Sequence, residues 1–117
     1  MHDFRKLHVW QRARELAVTL DGLTRKFPRS DRGVLGGQLR RAVLSIPTNI
    51  AEGCGKSSRS ETIRFFQIAA GSASETENHL ILAGDLGYLQ PIVRDRLLDE
   101  LKAIQRMLMS LMRKLPD

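Results

Sequence analysis

Apolar residues recur at helical spacing along nearly all of this chain, and only three short stretches interrupt them: FPRSDRG (27–33), GCGKSSRS (53–60) and GDLGYLQP (84–91). No window sustains the two-residue alternation of a half-buried strand, so the fold class is all-α. Four helical segments remain. The first runs from Leu7 to Lys26 and stops ahead of Phe27-Pro28, since a residue before proline avoids the helical region. Ser30 or Asp31 is placed to cap the second, which fades at Gly53 and Gly55. Ser58 and Glu61 have the spacing of a capping box for the third, and Gly87 suits its C-terminal cap. Pro91 fits the first turn of the fourth, which ends at Leu115-Pro116. Long helices joined by short turns pack against their sequence neighbours, which predicts one domain over residues 1–117: an antiparallel, up-down-up-down four-helix bundle.

The apolar faces predict more than a monomer. On the first helix Val9, Trp10, Ala13, Leu16, Ala17 and Leu20, with Phe27 beyond, share one broad side. On the fourth, Leu97, Leu101, Ile104, Leu108, Leu111 and Leu115 form the centre, and Leu98 and Met109 add a shoulder. The third carries two stripes: Phe66, Ala69, Ala73 and Leu80 make one, and Ile68, Leu82 and Leu86 another on a different side. A surface helix needs one stripe about 100° wide. The second stripe and the shoulder therefore mark Ile68, Leu82, Leu86, Leu98 and Met109 as an oligomer interface. A monomer with scattered surface leucines is the alternative.

The second helix contains an oddity. Leu35, Leu39, Ala42, Ile46 and Ile50 keep helical spacing straight through Pro47, with Ser45, Thr48, Asn49 and Glu52 around it. Proline lacks an N–H and crowds the carbonyl four residues back. The Val43 carbonyl thus loses its partner, and a buried orphan costs about 1–3 kcal/mol. Thr48, Asn49 or a water is the expected donor. Asn49 falls at the margin of the apolar stripe and Pro47 off it, which reads as a kinked, polar-tied segment setting the lean of the helix; a direct ligand site is the other reading. Across the following turn, antiparallel register sets Glu52 level with Arg64 and Arg41 level with Glu75, and at least one of these is expected to be an ion pair.

Charge and composition narrow the function. At 117 residues and 42% apolar content the chain can bury one modest core. No run approaches the roughly 20 apolar residues that span a bilayer, and the N-terminal MHDFRKLHVWQRAR is too charged for a signal peptide. With a single cysteine, Cys54, no internal disulfide can form, and a cytoplasmic setting with no membrane partner is the expectation. GKSS (55–58) lacks the earlier glycine of a phosphate-binding loop, where Ile50 stands, and follows a helix instead of a strand. Glu75 and His79 lie one turn apart, but a di-iron bundle needs two Glu-x-x-His pairs and further carboxylates. His2, His8 and His79 are scattered. Neither catalysis, a cofactor nor a metal is called for. The formal net charge is +6, and residues 1–59 carry it, with twelve basic and five acidic residues. A basic half of this kind invites a polyanion.

LHVWQRARELA (7–17), FPRSDRGVLGGQLRRAVLSIPTNIAEGCGKSS (27–58), RFFQIAAGSASETENHLILAGDLGYL (64–89) and QRMLMSLMRKL (105–115) resemble the four-helix-bundle protein family that includes the 23S ribosomal RNA intervening-sequence proteins. SIP-x-NIAEG is the distinctive motif. The resemblance implies a ring-like homopentamer without established enzymatic activity. The accessory proteins of diversity-generating retroelements are more distantly similar, and imply nucleic-acid or reverse-transcriptase binding.

Together these readings predict a non-enzymatic, oligomeric, basic protein that binds RNA or another nucleic acid through its phosphates. The alternative is a scaffold or accessory subunit that recruits an acidic protein or a reverse transcriptase. In an up-down-up-down bundle one end collects Arg5, Lys6, Lys56, Arg59, Arg64, Arg113 and Lys114, with Asp3, Glu61 and Asp117 nearby. The other gathers Arg25, Lys26, Arg29 and Arg32, diluted by Asp31, Asp85 and Asp95. The first end is the expected nucleic-acid site.

Overall fold

The computed structural model describes residues 3–116, with the backbone but not the side chain of Arg32 among them. Among these residues there are four α-helices and no strand: α1 (His8–Thr24), α2 (Gly37–Cys54), α3 (Arg59–Asp85) and α4 (Pro91–Arg113). A 3₁₀ turn, Phe4–Lys6, precedes α1, and a π-helical turn, Arg32–Gly36, precedes α2.

Most of the expected boundaries have a visible cause. Ser58 is extended and its hydroxyl accepts the Glu61 N–H, so α3 starts on a side-chain cap. At the other end of α3 Gly87 has φ +78°. Its N–H reaches the Gly84 carbonyl and the Tyr88 N–H reaches that of Ala83, which is the Schellman pattern that satisfies orphan carbonyls. Pro91 opens α4 where its missing N–H costs nothing. The start of α2 differs from expectation: it has no side-chain cap. Asp31 has φ −116° and ψ −12°, outside the extended region a capping residue occupies. Its carbonyl instead accepts the Val34 N–H, and the wide π turn carries the chain into the helix with Leu35 buried.

The helices pack α1 on α2, α2 on α3, α3 on α4 and α4 on α1, in a body 47 × 24 × 20 Å. One core cluster runs through all four, and Leu20, Leu39, Ile46, Ile50, Phe66, Leu80, Leu101, Ile104 and Leu108 within it are fully buried. The expected core stripes of α1 and α2 are buried except for Trp10, which is half-buried and meets Phe4 edge-on. Polar contacts tie the helices across the core's margin. Thr62 Oγ1 donates to the Gly53 carbonyl at 3.0 Å, Arg40 Nη1 to Thr24 Oγ1 at 3.1 Å, and Gln105 Nε2 to Glu77 Oε1 at 3.2 Å.

The strongest of these ties is the two-pronged pair of Arg12 with Glu100, at 2.8 and 2.6 Å between α1 and α4. The Arg12 hydrogen bonds hold the Glu100 carboxyl below its ordinary value of 4.5. A folded-state value below the unfolded one gives stability that is complete above the ordinary range and is lost as pH falls through the lower folded value. Both side chains are a third or more exposed, so solvent screening keeps the contribution under about 1 kcal/mol. Glu100→Gln should therefore lower the melting temperature slightly at pH 7. The gap to wild type should close in acid, and an equal gap at pH 7 and pH 3 would show that the pair is not its cause.

Candidate functional site

α2 runs through Pro47 without interruption, and Pro47 is buried, a correction to its expected place off the apolar stripe. It packs at the α1–α2 surface with Ala17, Val18 and Leu44 around a shared groove. The expected donors also land elsewhere. Thr48 Oγ1 donates to the Leu44 carbonyl and Asn49 Nδ2 to that of Ser45, each at 2.8 Å, and neither reaches Val43. Helical side chains lean toward the N-terminus and meet the carbonyl four residues back, so residues 48 and 49 serve 44 and 45. Asn49 Nδ2 also donates to Ser45 Oγ, which accepts a second bond from Ser72 Oγ on α3 at 2.8 Å. The polar residues beside the proline thus lock α2 to α3.

Neither expected ion pair forms between these helices. Glu52 faces the α1–α2 groove with Phe4 and Trp10, while Arg64 stands over the Phe65 ring on α3. Glu75 bonds His79 one turn along its own helix, 3.2 Å from Nε2, and has no ion pair with Arg41. Level along two helices does not fix the angle around them. His79 itself is buried, with Nδ1 lacking a partner. Among the described residues no group of three or more His, Cys, Asp or Glu is placed to hold a metal. Cys54 is buried, and desolvation pushes its thiol above the ordinary 9.0, away from thiolate chemistry.

At one end the structure brings together segments far apart in sequence. The α2–α3 turn and the chain's last turn enclose a small pocket lined by Lys56, Ser57, Ser58, Arg59, Thr62, Leu115 and Pro116. Arg59 Nε reaches the Leu115 carbonyl at 3.5 Å. Leu7, His8 and Val9 line a neighbouring cleft with Ser110, Leu111 and Lys114. Lys6, Arg59, Arg64, Arg113 and Lys114 are exposed, and Lys56 is half-buried against Phe65. Arg5 is the exception in function: Asp3 takes both its backbone N–H and its guanidinium, at 2.9–3.1 Å. These Arg5 hydrogen bonds hold the Asp3 carboxyl below its usual range, so the pair remains ionised and its charges offset each other. At the opposite end Phe27 packs on Tyr88, 5.2 Å between ring centres, and joins the first turn to the third. Arg25 is paired there with Asp21 at 3.0 Å. The side chain of Arg32, like Asp117 and His2, lies outside the described residues.

Two surfaces extend beyond the sequence reading. Lys102, Arg106 and Arg113 line a shallow furrow along α4 with Gln105 and Met109. Their spacing of four and seven residues was visible in the sequence and marks one helical face. On the other side, Phe4, Trp10, Arg14, Val18, Leu44 and Pro47 belong to a mainly apolar groove of about 670 Å³ between α1 and α2. Of the expected interface residues, Ile68, Leu82, Leu86 and Met109 are exposed and Leu98 is half-buried. No helix among the described residues is long and apolar enough to cross a membrane.

Comparison with known proteins gives these surfaces a family. The model of the family described as "23S rRNA-intervening sequence protein" matches residues 5–110. A crystal structure from Bacteroides thetaiotaomicron, of a protein with unknown function from the S23 ribosomal protein family, is similar to this chain with a TM-score of 0.82 and 28% identity. The alignment covers 91% of this chain and 99% of that one. No curated protein matches. The match covers α1, α2, α3, most of α4 and the SIP-x-NIAEG segment, and the chain belongs to the 23S rRNA-intervening sequence protein family.

Proposed function

We propose that this chain is a non-enzymatic, self-associating RNA-binding protein that holds nucleic acid by its phosphates at the end built from the α2–α3 turn and the α4 terminus. The bundle is up-down-up-down. Support comes from Gly53 meeting Thr62 beside the turn while Ser45 meets Ser72 further along, and from the contact that closes α4 on α1. The observation that carries the function is that Lys56 and Arg59 line a pocket with Leu115 and Pro116, next in the chain to the exposed Arg113 and Lys114. Exposed cations in a cluster bind phosphate without reading base edges, so sequence preference is expected to be weak. The names of the matching family and of the Bacteroides protein's family both refer to the ribosome or its RNA, which supports RNA over other polyanions. Self-association, into five copies as the family resemblance implies, would repeat the cluster around an axis and raise avidity without any new contact.

A second reading rests on the apolar groove between α1 and α2, which suits a protein partner such as an acidic subunit or a reverse transcriptase. Titrating a labelled single-stranded RNA at rising ionic strength tests the first reading. Phosphate contact predicts a linear fall of log affinity with log salt, about 0.7 per contact. RNA affinity that is absent at 50 mM salt would leave the protein-partner reading in its place.

A further inference from the structure

Phe65 lies beside two cations of the basic end, Lys56 and Arg64, and belongs to no apolar stripe that the sequence defines. It is half-buried one residue before the core residue Phe66. The Lys56 ammonium lies 4.9 Å from its ring centre and the Arg64 guanidinium 5.5 Å. Both distances are within the range in which a ring quadrupole attracts a cation. The two cations come from different places, Lys56 from the loop after α2 and Arg64 from the second turn of α3, so the ring is what the two share. Neither appears in an ion pair among the described residues, in contrast to Arg5 and Arg25, which are held by carboxylates. A carboxylate holds a cation by offsetting its charge. An aromatic ring holds it while leaving the full charge and its N–H donors for a ligand.

On this basis we infer that Phe65 is a positioning residue: its ring holds Lys56 and Arg64 side by side as a two-cation clamp for backbone phosphates. The inference rests on the RNA reading above and deepens it. Long basic side chains lose much rotamer freedom when they grip a ligand, and a partner that restricts them beforehand improves binding without adding a contact. Leucine at this position keeps most of the apolar bulk and has no quadrupole. Tryptophan keeps the ring and strengthens the attraction. Net charge is unchanged in both, so long-range attraction of a polyanion stays constant.

The test measures affinity for polyuridine and for inorganic polyphosphate, a polyanion without bases, with thermal melting as a check on folding. Phe65→Leu should weaken binding to both probes about two- to fivefold, and Phe65→Trp should restore it. In a Lys56→Gln/Arg64→Gln background, Phe65→Leu should have no further effect, a dependence that a residue merely filling space does not show. Phe65→Met serves should the leucine variant fail to fold. If Phe65→Leu binds both probes like wild type while Lys56→Gln/Arg64→Gln weakens them, the clamp falls and the RNA reading stands. Weakening on polyuridine alone would overturn the clamp in favour of base stacking on the ring. Wild type that binds neither probe would end both the clamp and the reading beneath it.

Discussion

Replacing Gly53 with alanine should destabilise the protein by about 1–3 kcal/mol, although alanine is the better helix former. Gly53 is buried in the last turn of α2, where that helix meets the first turn of α3. A Cβ there would stand 2.7 and 2.9 Å from two ring carbons of Phe66 and 3.2 Å from the Thr62 carbonyl oxygen. Phe66 is fully buried and among the largest core side chains, so its ring has no empty space to enter. The Thr62 hydroxyl bond to the Gly53 carbonyl fixes the backbones at the same point, which prevents a small separation of the helices from relieving the clash. Gly22, exposed on α1 away from the proposed interface, provides the control. Nothing lies within 4 Å of its added Cβ, and Gly22→Ala should stabilise by about 0.5–1 kcal/mol through backbone entropy alone. Opposite shifts in melting temperature are expected from the same chemical change. A Gly53→Ala protein that melts at or above wild type would mean that α2 and α3 are not in the close contact described.

The second large effect concerns assembly. Ile68, Leu82, Leu86 and Met109 are 40–57% exposed on a single chain. Placing a glutamate at Leu82 should cost the isolated chain little, since exposed substitutions lie within about 0.5 kcal/mol. In an interface the same carboxylate would be buried without a partner, a penalty of about 3–5 kcal/mol that weakens association by roughly three orders of magnitude. Light scattering should return a multiple of the 13.2 kDa chain for wild type and a single chain for Leu82→Glu at micromolar concentration. Met109 makes a more demanding case, because Lys102, Arg106 and Arg113 share its furrow and would have to stay hydrated at the rim. A monomeric wild type would remove the self-association proposal outright.

The sequence made the four helices legible because each break carries its own local chemistry: Pro28 after α1, the glycines after α2, the Ser58 cap, Gly87 and Pro91. Apolar periodicity likewise picked out the core faces of α1 and α2. Local chemistry did not extend to the π-helical entry to α2, whose geometry denies Asp31 a capping conformation. Nor does periodicity say which neighbour a face meets. Pro47 is expected off the apolar stripe of α2, yet it is buried on the flank toward α1. Ser72 was invisible as a partner for Ser45 because a serine in a helix has many hydroxyl and carbonyl neighbours within reach. The ion-pair expectations failed for a related reason. Antiparallel register places Glu52 and Arg64 at one level, whereas rotation about the helix axes turns Glu52 to α1 and Arg64 to Phe65. The meeting of the α2–α3 turn with the end of α4, where Lys56 and Arg59 line a pocket with Leu115, follows the expected helix order. The contacts of Lys56 and Arg64 with the Phe65 ring do not follow from it, since a cation–π contact needs coordinates for both groups.

The claim that this end binds RNA is tested most directly by comparing two triple variants across a salt series. In the first, Lys56, Arg59 and Arg113 become glutamine; in the second, Arg25, Lys26 and Arg29 do. Both lose three positive charges, so any difference reports position and not net charge. The proposed site predicts that the first variant binds single-stranded RNA of any sequence more weakly than wild type. Its log–log salt slope should flatten by about two units, at roughly 0.7 per lost phosphate contact. The second variant should keep a slope close to that of wild type. A first variant that binds like wild type, beside a second that no longer binds, would contradict the account and move the site to the opposite end.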